Sequence, residues 1–148
     1  DSLFSSKIIS HLLVFSDSGT GKTVGTATLF LQPKRLAFYY YAFYDLNYYE
    51  RNLGMFMMTS AVAHFAGMGF DYLYLGSCYS RNALYKTQFA GAEFFNGFQW
   101  SRNLKELKYL IERDSRSVSR HLLENDDYMQ HFQSLGVADL AANSFFTC

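Results

Sequence analysis

Leu36-Ala37-Phe38-Tyr39-Tyr40-Tyr41-Ala42-Phe43-Tyr44-Asp45 is the stretch on which the fold turns. Nine consecutive apolar and aromatic residues without glycine or proline suit a strand, where aromatic side chains pack well on a pleated surface. The residues on either side decide what kind of sheet it joins. Upstream, residues 8–16 read as a buried strand and residues 24–32 alternate enough to be its return. Asp17-Ser18-Gly19-Thr20-Gly21 and Pro33-Lys34-Arg35 supply the two turns, so the three strands form an antiparallel meander. Downstream, residues 51–67 carry Leu53, Phe56, Met57, Ala61 and Phe65 at helical spacing. Gly67-Met68-Gly69 ends that helix with residues suited to a left-handed cap.

A further strand is expected at 71–76. Its helical crossover from the aromatic strand predicts that the two are parallel. Asn82 to Phe89 reads as a short helix. Ala92 to Phe98 reads as a strand interrupted by the turn dipeptide Asn96-Gly97. Leu104, Leu107, Leu110 and Ile111 mark an amphipathic helix over 103–113. Residues 114–120 are rich in Ser and Arg and read as a break or a solvated helix start. Leu122, Leu123, Met129, Phe132, Leu135 and Leu140 give the remainder a helical character. The expected class is α+β, an α/β sandwich with a mixed, mostly antiparallel sheet flanked by helices. Residues 1–114 are expected to form the domain, and 115–148 a C-terminal helical extension.

Composition agrees with a folded domain. The chain has 148 residues, 49% of them hydrophobic and 19% aromatic, whereas disorder needs low hydrophobicity and high net charge. The formal net charge is zero, unlike the basic balance of a dedicated nucleic-acid binder. Cys78 and Cys148 form no close pair. A structural zinc site needs about four Cys/His ligands at short spacing, so no metal is expected. No run of about 18 apolar residues suggests a membrane span. Asp1-Ser2-Leu3 lacks the basic start of a signal peptide. Free thiols point to a cytoplasmic setting. The missing initiator Met suggests a partial chain.

Gly19-Thr20-Gly21-Lys22-Thr23 is reminiscent of a phosphate loop. That motif needs an earlier glycine where Ser16 stands, and a helix immediately after it. Val24-Gly25-Thr26-Ala27-Thr28 is β-prone instead. The run is read as a hairpin turn with an exposed lysine.

Five segments, in order, carry a family resemblance: Tyr-Tyr-Tyr-Ala-Phe-Tyr-Asp (39–45), Arg-Asn-Leu-Gly (51–54), Tyr-Leu-Tyr-Leu-Gly (72–76), Leu-Tyr-Lys (84–86) with Phe89, and Ala-Glu-Phe-Phe-Asn-Gly-Phe-Gln-Trp (92–100). Together they resemble the C-terminal domain of arginyl-tRNA–protein transferases, within the GNAT superfamily of N-acetyltransferases. The likeness spans roughly residues 8 to 110. It implies transfer of an amino acid, arginine above all, from aminoacyl-tRNA to the α-amine of an acceptor protein or peptide beginning with an acidic residue. The tRNA is a co-substrate, and no bound cofactor is implied. The Cys-rich N-terminal part of that family has no counterpart here, so a missing N-terminal domain is a further expected partner.

The resemblance also assigns roles. Arg51-x-x-Gly54-x-Phe56 falls where the superfamily holds a pyrophosphate on backbone N–H groups. A helix's first turn offers unpaired donors and partial positive charge for this, and Gly54 allows close approach. Phe56 stands where the pattern has a small residue. Asn52 belongs to the same corner. Asn82-x-x-Tyr85 matches a later motif whose tyrosine protonates the leaving group, a role open to a phenol with pKa near about 10. Lys86 offers a point charge to phosphate. Tyr41, Phe43 and Tyr44 would line the acyl pocket, where neighbouring strands part. Asp45 would receive or deprotonate the acceptor's ammonium. Ser77 and Tyr79, in the loop after the next strand, face the same cleft.

Each assignment has a structural alternative. Gly54 could be a packing glycine, Asp45 a helix cap and Tyr85 a half-buried surface residue. Cys78 is not expected to be a nucleophile, for want of a partnered base. Between Ser101 and Arg120, six basic side chains face three acidic ones, a net +3. If the helix continues, Arg113, Arg116 and Arg120 share a face that could neutralise phosphates; a solvated polar face is the alternative. Two other functions stay open. One is an N-acyltransferase using a coenzyme A thioester. The other is a catalytically silent interaction module, with Phe145-Phe146 in its contact surface.

Overall fold

The computed structural model describes residues 8–32 and 35–132. They divide into two compact units, one ending at Ser77 and the other starting at Cys78. The expected boundary at 114 lies inside the second unit. The class is α+β with a mostly antiparallel sheet.

In the first unit, β1 (His11–Ser16), β2 (Thr23–Gln32), β3 (Leu36–Tyr44) and β4 (Tyr72–Tyr74) form one sheet in the order β1-β2-β3-β4. The first three are antiparallel, and β4 joins β3 in parallel after the helix α1 (Leu53–Gly67). The Gly-Thr-Gly-Lys run is the β1–β2 turn. Asp17 Oδ1 accepts the N–H groups of Gly19 and Thr20, both at 2.9 Å, and Gly21 takes φ 69°. β2 begins directly at Thr23, so no helix follows to cradle a phosphate.

The packing of α1 fixes the two faces of the sheet. A Cβ on Gly25 would sit 2.6 Å from Met57 Sδ, and one on Gly54 would sit 2.9 Å from the Tyr44 ring. Gly25 and its cross-strand partner Tyr44 therefore face the helix. Ala27, Leu29, Ala37 and Tyr39 share that side and are buried with Leu53, Met57, Met58, Ala61 and Phe65 of α1. The expected helix stripe needs one correction. Phe56 is 60% exposed and touches Phe15 edge-on, while Met58 takes the buried place.

Tyr40 is an extra residue in β3. Thr28 pairs with Tyr41 and Leu29 with Tyr39, so the register shifts between them. The Thr28 hydroxyl repairs the break: it donates to the Tyr41 carbonyl at 3.3 Å and accepts the Tyr41 N–H at 3.1 Å. The bulge keeps Tyr39 toward the helix while Tyr41 and Phe43 point away from it.

β4 is shorter than the expected 71–76. Its pairing with β3 covers only Leu36↔Tyr72, Ala37↔Leu73 and Phe38↔Tyr74. Gly76 turns to φ 81° two residues later, a left-handed conformation that no strand continues through. β3 runs on to Tyr44, and among the described residues no strand pairs with that edge beyond Phe38.

The second unit contains a helix at Arg81–Gln88, close to the short helix expected over 82–89, and it is of the 3₁₀ kind. The strand expected over 92–98, interrupted by the Asn96-Gly97 turn, is a hairpin of β5 (Phe94–Phe95) and β6 (Trp100–Ser101) that does turn there; its second strand lies beyond the expected stretch. Asn96 Oδ1 holds its turn by accepting the N–H groups of Phe98 and Gln99 at 3.2 and 2.9 Å, and Gly97 takes φ 110°. α2 (Leu104–Asp114) starts at Asn103, whose side chain accepts from Lys105 N at 3.1 Å. α3 spans Asp126–Phe132. Leu107, Ile111, Leu122 and Tyr128 form the core, and the rings of Tyr109 and Phe132 pack on Tyr128. Leu104 is exposed, contrary to the expected stripe, while Glu106 is buried.

α2 stops at Asp114, so the row of Arg113, Arg116 and Arg120 does not form. Arg113 bonds Asp114 at 2.9 Å and the Arg120 carbonyl at 2.7 Å. Glu112 takes Arg116 at 2.9 Å and Arg81 at 2.6 Å. Of the expected C-terminal helix, residues 133–148, including Leu135, Leu140 and Phe145-Phe146, lie outside the described residues.

Candidate functional site

The corner where β3 ends gathers several charged groups. Asp45 N donates to the Val24 carbonyl at 2.8 Å, which fixes the last register position of β3 against β2. The Asp45 side chain then caps the 3₁₀ helix Leu46–Arg51, accepting Asn47 N at 3.0 Å and Asn47 Nδ2 at 2.9 Å on Oδ1. Its other oxygen, Oδ2, meets Lys22 Nζ at 3.0 Å. The Lys22 ammonium, with the Asn47 N–H behind it, holds the Asp45 carboxyl below its ordinary range, and Asp45 in turn raises Lys22. Asp45 is therefore a weak base. It is suited to holding a cation, and an incoming ammonium would compete with Lys22 for Oδ2.

A second pair braces the same corner. Tyr48 donates its hydroxyl to Asp17 Oδ2 at 2.9 Å. That bond, with the N–H groups of Thr20 and Gly19, lowers the Asp17 carboxyl, and it raises the Tyr48 phenol. The Arg51 guanidinium lies over the Tyr48 ring, 5.5 Å from its centroid. Sequence reasoning missed Lys22, Asp17 and Tyr48. The signal was the strand register: Val24 opposite Asp45 brings Lys22, two residues earlier, to the end of β3.

Asn52 bends the chain from the 3₁₀ helix into α1. It takes φ 55°, and its carbonyl accepts the N–H groups of Met55 and Phe56 at 3.0 Å. Asn tolerates the left-handed region better than most residues. Gly54 is in contact with the Tyr44 ring, which accounts for a glycine there by packing. Tyr41 and Phe43 are about half exposed on the opposite side of the sheet from Tyr44. Ser77 is exposed just past Gly76.

Tyr79, Asn82, Tyr85 and Lys86 belong to the second unit. Tyr79 is highly exposed. The 3₁₀ helix carries the other three: Asn82 is exposed, Tyr85 is 49% exposed and Lys86 is half-buried. The Tyr85 carbonyl accepts Gln88 Nε2 at 2.8 Å. Burial pushes the Cys78 thiol up, against the pull of the Lys86 charge, which disfavours a reactive thiolate.

Among the described residues no three His, Cys, Asp or Glu side chains cluster to hold a metal, and no helix is long and apolar enough to cross a membrane. An open depression of about 590 Å³ lies along Ile9, Ser10, His11 and Leu12. These residues are at the β1 edge, across the sheet from the β3–β4 opening.

The Asp45 contacts make an acid-sensitive pair. A carboxyl lowered in the fold binds its proton less tightly than in the unfolded chain. Its contribution is complete above the ordinary value of 3.8 and fades as pH falls below it. Carboxyl NMR titration is expected to find Asp45 and Asp17 both below that value. Lys22→Met should move Asp45 back toward 3.8 and leave Asp17 low. An unmoved Asp45 would show that Lys22 is not the cause.

Comparison of the chain with protein-family models, curated proteins and solved structures returns no match.

Proposed function

We propose that this chain is an aminoacyl-tRNA-dependent protein transferase domain, which moves an amino acid, arginine by the motif resemblance, to the N-terminal amine of an acceptor protein in the cytoplasm. The observation that carries the reading is the overrun of β3 past β4. It leaves backbone groups of an aromatic strand unpaired by a neighbouring strand beside a corner holding Asp45, Arg51 and Asn52. Such groups suit an acyl carbonyl whose oxygen gains charge during attack.

The reaction balances without a metal or redox partner. The acceptor amine attacks the ester carbonyl of the charged tRNA 3′ end, a C–N bond forms, and the C–O bond to the ribose breaks. The amine loses one proton and the ribose oxygen gains one, so the net transfer leaves the protein's own protonation unchanged; the motif resemblance gives the donation to Tyr85. Lys22–Asp45 offers the acceptor's acidic first residue a cation and its ammonium a carboxylate. The contact between Gly54 and Tyr44 gives that glycine a packing role, so it offers no separate support for coenzyme A.

The test mixes arginyl-tRNA carrying labelled arginine with a full-length protein containing this chain and with peptides starting in Asp or Glu. Label on the peptide α-amine is expected. No transfer from any aminoacyl-tRNA would overturn the reading. Thermal protection by coenzyme A, lost on Gly54→Trp, would favour the thioester instead.

A further inference from the structure

The side of the sheet turned away from α1 is built from aromatic and aliphatic residues. Ring contacts run without a gap along it: Tyr74 to Phe38 at 4.6 Å, Phe38 to Tyr40 at 5.7 Å, Tyr40 to Tyr41 at 4.5 Å, and Tyr41 to Phe43 at 6.3 Å. Phe30 lies beside Phe38 in register, and Tyr72 extends the row on β4. On β1, Leu12 and Val14 occupy the same face, opposite Thr28 and Thr26.

These side chains are exposed, apart from the half-buried Phe38. Tyr41, Phe43, Leu12 and Val14 are each 47–58% accessible. Taking about 150–250 Å² per aromatic ring, the open area comes to roughly 600–700 Å². The largest apolar patch of an ordinary monomer is about 300–600 Å². A standard stable interface takes about 800 Å² from each partner. The patch is thus larger than an unpartnered surface needs and close to one side of a dimer.

The chemistry of the face narrows the occupant. A nucleic-acid platform combines stacking rings with Lys or Arg for the phosphates. None of the β1–β4 positions on this face is charged. The chain's formal net charge is zero, so two copies do not repel each other. The halves are also complementary in kind. Register aligns Leu12 with Thr28 and Tyr41, and Val14 with Thr26 and Phe43. A two-fold axis running along β2 lays β1 of each copy over β3 of the other, with Leu12 against Tyr41 and Val14 against Phe43. Aligned sheets pack this way about 10 Å apart, and a two-fold contact uses one patch twice.

We infer that this outer face is the surface through which two copies of the chain pair, sheet against sheet. Sedimentation equilibrium from low to high micromolar concentration is expected to show a dimer. Val14→Lys and Phe43→Asp, both at exposed positions, are each expected to give a monomer with a thermal midpoint close to the parent's. Mixing the two variants is expected to restore a dimer containing one copy of each, because the new charges face each other across the contact. A parent that stays monomeric throughout, a dimer that survives both substitutions, or a mixture that stays monomeric would overturn the inference. Saturable binding of a single-stranded oligonucleotide by a monomeric parent would assign the face to that partner instead.

Discussion

Glu106→Ala is expected to destabilise the second unit by about 3–5 kcal/mol, from several unmet donors at about 1–3 kcal/mol each. Glu106 is 3% exposed. Its Oε1 accepts the Tyr128 hydroxyl at 2.6 Å and Asn96 Nδ2 at 2.8 Å, and Oε2 accepts the Ser101 hydroxyl at 2.5 Å. Three donors, from α3, the β5–β6 hairpin and β6 itself, thus converge on one side chain in the first turn of α2. Alanine removes every acceptor at once and leaves a polar cavity. Glu106→Gln keeps the shape but turns an N–H₂ toward one of the donors, so a loss of about 1–2 kcal/mol is expected. Tyr128→Phe removes only one donor and is expected to fall near the glutamine variant.

Trp100, the single tryptophan, sits beside Ser101 and reports unfolding of this unit in denaturant. An alanine variant within 1 kcal/mol of the parent, a bound set by the cost of one unmet donor, would show that the network does not hold the unit together. Burial, and then the Glu106 carboxylate, push the Tyr128 phenol well above its ordinary value of 10.0. A raised phenol contributes stability below that value and loses it as pH climbs through the folded one. Tyr128 should therefore stay un-ionised until the unit unfolds in alkali.

Glu106 also marks a limit of reading structure from sequence. A Glu in the first turn of a helix looks like an exposed residue complementing the helix dipole. Its burial depends on Tyr128, 22 positions away, and on a hairpin turn, which the period of α2's apolar residues cannot reveal. The meander, α1 and the parallel return were legible because each follows from a local pattern: aromatic strand, helical stripe, turn residues. The bulge at Tyr40 was hidden in a run of three tyrosines, where a shift of one residue leaves the composition unchanged. At the site, Asp45 could be recognised as a helix cap from its position before Leu46. Its ion pair with Lys22 could not, because that depends on the register of β2 against β3. The row of arginines assumed that α2 continues through Ser115-Arg116-Ser117, and Asp114 ends it instead.

Tyr85→Phe is expected to lower the transfer rate by about 10²-fold or more, the usual scale for losing a general acid. The substitution suits the test because it is quiet elsewhere. Tyr85 is half exposed, and its backbone carbonyl, not its hydroxyl, is the group that Gln88 holds. Phenylalanine keeps the ring, so stability should change by less than about 0.5 kcal/mol, as at most surface positions. If the phenol protonates the departing ribose oxygen, it acts only in the transition state. The loss then falls on kcat, with KM for tRNA little changed. Lys86→Ala should do the reverse: losing a point charge on phosphate weakens tRNA binding and flattens its salt dependence while leaving kcat near the parent's. Full transfer by the Tyr85→Phe protein would remove the tyrosine from the mechanism. In a binding module without catalysis there is no transfer to lose, and partner affinity would be the same with and without the hydroxyl. The pattern of kcat and KM across these two adjacent residues therefore separates an acid from a phosphate contact, and both from a silent fold.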